Sequence, residues 1–216
     1  MASKKAEGIM SMLGKTFVGR LFPEMDWEQL DGDRYQQVCN RLQAASEYGQ
    51  ATANYLQQSG VRLGYYAQEN SGGGWTLLRN ITLARGAALA DAYTLSLIVH
   101  EIFHLKQSIF QRLSIYGELL AWQHQRKAYH ELAGREIGDV GAEYAGKKAM
   151  WDQLSALSAD SRADLATAQQ LMSSIATGYR SDCLPLYPLF QEAGYFLRQG
   201  RIREIFSMIW NLLTCR

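Results

Sequence analysis

Residues 95–107 read LSLIVHEIFHLKQ, and the spacing within this stretch organises the reading of the chain around it. Leu95, Ile98, Ile102 and Leu105 recur at three and four residues, the period of a helix with one apolar stripe. His100, Glu101 and His104 interrupt the same run. At 3.6 residues per turn, positions i, i+1 and i+4 fall at 0°, about 100° and about 40°, so the three side chains project into one sector. Two imidazoles placed in this way can reach one ion, and the glutamate between them can act on a water beside it. With four His and twelve Glu among 216 residues, an HExxH arrangement arises by chance with a probability of roughly half a percent. The surrounding run, AYTLSLIVHEIFHL (92–105), is apolar, and unpaired histidines and carboxylates are costly to bury in such a setting. A metal ion would give all three a partner.

Working outward, VRLGYYAQ (61–68) and WTLLRNITLA (75–84) are rich in β-branched and aromatic residues, with ENSGGG (69–74) between them. They are predicted to be two or three strands of a small sheet with a glycine-rich connection. Further upstream, Tyr35, Val38, Leu42, Ala45, Gly49, Thr52 and Leu56 form a stripe that predicts one long helix from Asp33, stopped at Gly60. Residues 1–30 are expected to be irregular or short helix, interrupted at Pro23. Downstream, a helix is predicted from Ile115 to Leu132 with Gly134 ending it, followed by helices at roughly 140–158, 160–177 and 190–213. DCLPLYPLF (182–190) separates the last two, because proline disfavours helix at the residue before it. The expected fold is α+β and predominantly helical, with a small sheet just before the histidine helix. A single domain over 1–216 is expected, made of an N-terminal helical segment (1–60), a core (61–135) and a C-terminal helical segment (136–216).

Hydrophobic residues make up 47% of the chain and charged residues 20%, enough for a core that needs no metal or disulfide to fold. Any metal is therefore expected to be functional. With 22 basic and 21 acidic residues the net charge is +1, which supplies no electrostatic footprint for nucleic acid. The densest basic patch, Arg198, Arg201 and Arg203 beside Glu204, is expected to be a solvated face. Cys39, Cys183 and Cys215 are odd in number and widely spaced, giving neither a disulfide framework nor a CxxC pair. No segment approaches the ~20 apolar residues of a membrane span, and a cytoplasmic location is expected. Asn80-Ile81-Thr82 spells a glycosylation acceptor that is expected to be idle without a secretion signal. GIMSMLGKT (8–16) nearly spells a phosphate-binding loop, but five residues rather than four separate its glycines and no strand precedes it. Trp122, Trp151 and Trp210 are expected among core and groove aromatics. REIFSMIWNLLTCR (203–216) is amphipathic, suited to capping the fold, pairing subunits or lying on a membrane.

A hydrolytic zinc needs three protein ligands and an open position. The extended HExxHxxGxxH pattern is excluded, because Gln107 stands at its glycine and Phe110 at its last histidine. Glu118 lies 14 residues beyond His104, near the start of the next helix. A turn between 107 and 115 would fold that helix back and let the glutamate face the histidines. His124 is the alternative ligand, although it lies some 240° around the helix from Glu118.

HEIFH (100–104) followed by Glu118 in GELLAWQ (117–123) resembles the gluzincin-type metallopeptidases, particularly their compact minigluzincin-like forms. The likeness covers residues 61–130. It implies a zincin-like helix pair behind a small β-sheet, with additional C-terminal helices as this chain's own. It further implies Zn2+ held by His100, His104 and Glu118, Glu101 as general base, and a peptide or protein substrate beside an edge strand at RNITLA (79–84). The gap from His104 to Glu118 is short beside larger gluzincins. No single oxyanion donor stands out among Tyr116, His124, Tyr129, His130 and Tyr179. A catalytically weak or inactive zincin-like binding or regulatory module is therefore the alternative expectation.

Overall fold

A computed structural model of the chain describes residues 27–45, 47–66, 74–75, 80–134, 145–174, 179–180 and 183–214. These residues are predominantly helical with one four-stranded sheet, the α+β class that the periodicities predict. The stretch at 8–16, and residues 1–26 of the 1–30 segment expected to be irregular or short helix, lie outside the described residues. The chain divides into two compact units.

One unit holds Met25–Gln107 and Leu120–Ala156. Its sheet has the order β1-β2-β4-β3, formed by β1 (Trp27–Gln29), β2 (Arg62–Tyr66), β3 (Gly74–Trp75) and β4 (Asn80–Leu83). Strand β2 pairs antiparallel with β1 and parallel with β4, while β3 runs antiparallel to β4 with Gly74 opposite Thr82. Strand β4 is thus interior, a correction to RNITLA as the edge: β3 occupies its outer side at Ile81 and Thr82. β1 is likewise a strand where irregular chain or short helix was expected. All four residues of β4 are buried. Asn80, the first residue of the Asn80-Ile81-Thr82 sequon, is buried and accepts a 2.9 Å hydrogen bond from Arg62 Nε.

The long helix expected over 33–60 is two helices, α1 (Gly32–Gln43) and α2 (Glu47–Ser59). The corner between them is tight: a Cβ on Gly49 would meet Ala45 Cβ at 2.5 Å and the Leu42 carbonyl oxygen at 2.6 Å. The first amides of α2 are orphan donors, and Glu131 Oε2 accepts from Tyr48 N–H at 2.9 Å and from Gly49 N–H at 3.3 Å. That carboxylate comes from more than eighty residues away, so local periodicity carries no trace of it.

Helix α3 (Ala92–Lys106) starts where Asp91 caps it, its Oδ2 accepting from Thr94 N–H at 3.1 Å. Its stripe of Leu95, Ile98, Ile102 and Leu105 is buried in one core with Val38, Leu42, Leu56, Leu63, Ile81 and Leu83. Helix α5 (Ile115–Ala133) ends at Gly134, whose φ of +65° is the left-handed closure that glycine adopts freely. Helix α6 (Ala145–Ser155) is held to α5 by Gln123 Nε2 donating to the Leu154 carbonyl at 3.0 Å and by Arg126 paired with Asp152 at 2.9 Å. Trp151 is the hub of an aromatic cluster with Tyr93, Trp122 and Tyr129.

The other unit holds Ser108–Leu119 and Leu157–Arg216. The short α4 (Ile109–Arg112) carries a capping box between Ser108 and Gln111. At the start of α5 the free amides of Ile115 and Tyr116 donate to the Pro185 and Leu186 carbonyls, each at 2.9 Å. Helix α7 (Arg162–Ser173) joins α8 (Leu189–Arg198) through a two-pronged ion pair, Arg162 to Glu192 at 2.6 and 2.8 Å. The single helix expected over 190–213 is α8 followed by α9 (Ile202–Thr214). Gly200, at φ +69°, breaks it: its N–H donates to the Leu197 carbonyl, and that of Arg201 to Phe196, the paired closure of a Schellman motif. Cys39 is a buried free thiol. Cys183 is disulfide-bonded, a bond that the odd count and wide spacing do not announce. Among the described residues no helix is long and apolar enough to cross a membrane.

Candidate metal centre

His100 and His104 stand one turn apart on α3, on the side away from its aliphatic stripe, and Glu118 sits in the first turn of α5. One ligand atom from each of the three can be chosen so that all lie within 4.8 Å of one another. All three side chains are buried, and so is Glu101. Buried His100, His104 and Glu118 therefore lie close enough to bind one metal ion.

The two imidazoles present their Nε2 atoms to each other at 3.1 Å. Two nitrogens at 2.0–2.1 Å from a tetrahedral ion would stand about 3.3 Å apart by simple trigonometry. The pair is thus already spaced as ligands of one small cation. Two imidazoles and a carboxylate form a donor set that suits zinc. A cation would also offset the cost of enclosing a carboxylate away from water.

The orientation of His104 is set from behind. Its Nδ1 lies 3.0 Å from Gln107 Oε1, and because a carbonyl oxygen only accepts, the ring donates there. In the neutral ring this leaves the Nε2 lone pair facing the His100 side, the tautomer that a metal requires. Gln107 is itself placed by the end of α3, where its N–H donates to the His104 and Phe103 carbonyls. The indole of Trp122 meets the His100 ring edge-on at 5.3 Å between centroids, which restricts that ring as well.

His124, the alternative third ligand, is engaged elsewhere. Its Nδ1 donates to the Leu120 carbonyl at 2.9 Å, and its ring stacks on Phe103 at 3.9 Å. Burial pushes its imidazole below the usual histidine range, with Lys127 and Lys106 adding to the shift and the Leu120 carbonyl opposing it. Of the other residues considered as oxyanion donors, Tyr129 packs on Trp151 and Tyr116 lies beside Tyr187. The sequence reading missed Gln107 and Trp122 as residues of the site. Gln107 has a local signal in its i+3 spacing to His104 at a helix end; Trp122, expected among the core and groove aromatics, falls on the same face of α5 as Glu118, four residues on.

No family model, curated protein or solved structure matches this chain.

Proposed function

We propose that the chain is a zinc-dependent metallopeptidase of the gluzincin type, compact and minigluzincin-like, acting on peptide or protein substrates. The observation that carries this reading is the pair of buried Nε2 atoms 3.1 Å apart on one helix, with Glu118 in reach of the same ion and Glu101 adjacent in sequence. His100, His104 and Glu118 would hold the zinc. When bound, zinc supplies Lewis acidity, polarising a substrate carbonyl and bringing the pKa of a water to about 7.

Glu101 does the proton work. Its carboxylate accepts one proton from the attacking water and passes it to the amine nitrogen as the C–N bond breaks, so one water is consumed per peptide bond. General-base and general-acid action of this kind contributes about 10²–10⁴ in rate. Gln107 and Trp122 position the two imidazoles. Glu101→Gln should retain zinc and lose hydrolysis of a mixed peptide library; cleavage at the parent rate would refute the mechanism.

A second reading has its own support. His100, Glu101, His104 and Glu118 are 1–9% exposed, a degree of enclosure that suits a metal-holding binding or regulatory module with weak or absent catalysis. That module would carry stoichiometric zinc, turn over no member of the same library, and retain a protein partner in pull-downs.

A further inference from the structure

Helix α9 has two apolar sides. Met208 points inward and is buried, yet Ile202, Phe206, Ile209 and Leu213 lie in water at 40–69% exposure. Their spacing is four, three and four residues, the a/d repeat of a helix seam that takes knobs from a facing helix. Trp210 flanks this seam at 66% exposure. Phe206 and Trp210 alone leave roughly 300 Å² of aromatic surface in water, given the ~150–250 Å² that such side chains present. With the aliphatic positions added, the α9 face reaches roughly 500 Å², the larger part of the ~800 Å² that each partner contributes to a specific interface. It lies at the upper end of the ~300–600 Å² of the largest patch on a typical monomer, a size that is often functional.

We infer that this face pairs two copies of the chain about a two-fold axis, α9 against α9 and antiparallel. A second copy supplies the same two-heptad seam, which is the self-complementarity that an isologous interface needs. The charge distribution sets the direction. Arg203 is exposed near the start of α9, and residues 205–214 carry no charge. Parallel pairing would bring the two Arg203 side chains together. Antiparallel pairing places each beside the carbonyl end of the other helix, where the dipole favours a cation. In that register Phe206 meets the partner's Ile209, and Ile202 meets the partner's Leu213. A lipid surface is less well matched, since helices that lie on membranes carry several basic residues along the polar face and α9 has one.

The test uses the full chain in solution. Light scattering behind size exclusion should give twice the 24.4 kDa chain mass at micromolar concentration. Phe206→Lys and Ile209→Glu, measured separately, each bury an unpaired charge against an apolar partner and should weaken dimerisation about a hundredfold or more. Both side chains are exposed, so far-UV circular dichroism and metal content should not change. Mixing the two variants should restore the dimer, because the lysine introduced in one copy then faces the glutamate introduced in the other. A native chain that is monomeric, or that floats as a monomer with mixed phosphatidylcholine–phosphatidylserine vesicles, would overturn the inference. So would single variants that stay dimeric, or a mixture that stays monomeric.

Discussion

His104 Nδ1 lies 3.0 Å from Gln107 Oε1 while Nε2 of the same ring lies 3.1 Å from Nε2 of His100. One side of the imidazole is committed to a hydrogen bond, so the other is committed to acceptance. Outer-shell partners of this kind change metal affinity by about 10–100-fold. Gln107→Leu should weaken zinc binding by that factor, read by competition with a chromogenic chelator, and leave the fold intact. An unchanged affinity would mean that Gln107 only ends the helix.

The two glutamates should separate cleanly. Glu118→Ala removes a ligand and is expected to cost most of the bound metal, whereas Glu101→Gln is expected to keep it. If peptide hydrolysis is present, the second variant should lower kcat at least about 10²-fold, the contribution of a general base. Equal metal loss in both variants would place Glu101 among the ligands instead.

Bound metal should also add to the stability of the fold. A ligand that binds only the native state stabilises it by about 4 kcal/mol at a thousand times its Kd. For a chain of this size that corresponds to a Tm shift on the order of 10 °C. Differential scanning calorimetry with zinc and with chelator should show this difference in the parent and little of it in His104→Ala. The same melting curve under both conditions would argue against a native metal.

Stability should fall with acid in a way that His124 partly explains. Burial, reinforced by Lys127 and Lys106, holds its folded imidazole below the ordinary value of 6.5, although the Leu120 carbonyl pulls the other way. Below about pH 6.5 the unfolded chain takes up a proton that the folded chain does not, so stability present above that pH is lost as pH falls. Urea midpoints in chelator should therefore drop more between about pH 7.5 and pH 5.5 for the parent than for His124→Gln. Equal drops would show that other groups control the acid limb.

In the unit that holds Ser108–Leu119 and Leu157–Arg216, Glu192 is buried and depends on Arg162, whose guanidinium also lies 3.7 Å from the centroid of the Tyr195 ring. Removing one partner of a buried pair costs about 3–5 kcal/mol, and the partial exposure of Arg162 argues for the lower end. Arg162→Met should therefore cost about 3 kcal/mol in urea denaturation, and adding Glu192→Leu should recover part of it. A loss confined to a few tenths would make the pair a surface contact.

The parts of this fold legible in the sequence are those specified by local spacing. The stripe of Leu95, Ile98, Ile102 and Leu105 located α3 and its core face, Gly134 marked the end of α5, and HEIFH with Glu118 located the three residues that converge. What escaped was decided by partners distant along the chain. Glu131 caps α2 and helps turn one expected helix into two. Strand β3 pairs on the outside of β4 and removes it from the edge. The break at Gly200 was available locally and should have been read as a helix end. Trp210, expected among the core and groove aromatics, is exposed because α9 turns Met208 rather than its aromatic side inward.

The central claim is that His100, His104 and Glu118 hold one metal ion, and metal content tests it most directly. Protein purified without chelator or an affinity tag, before and after incubation with zinc and dialysis, would be analysed by inductively coupled plasma mass spectrometry beside His104→Ala. One zinc per chain in the parent and little in the variant is the predicted result. No stoichiometric metal in the parent even after zinc loading, or equal metal in both proteins, would contradict it.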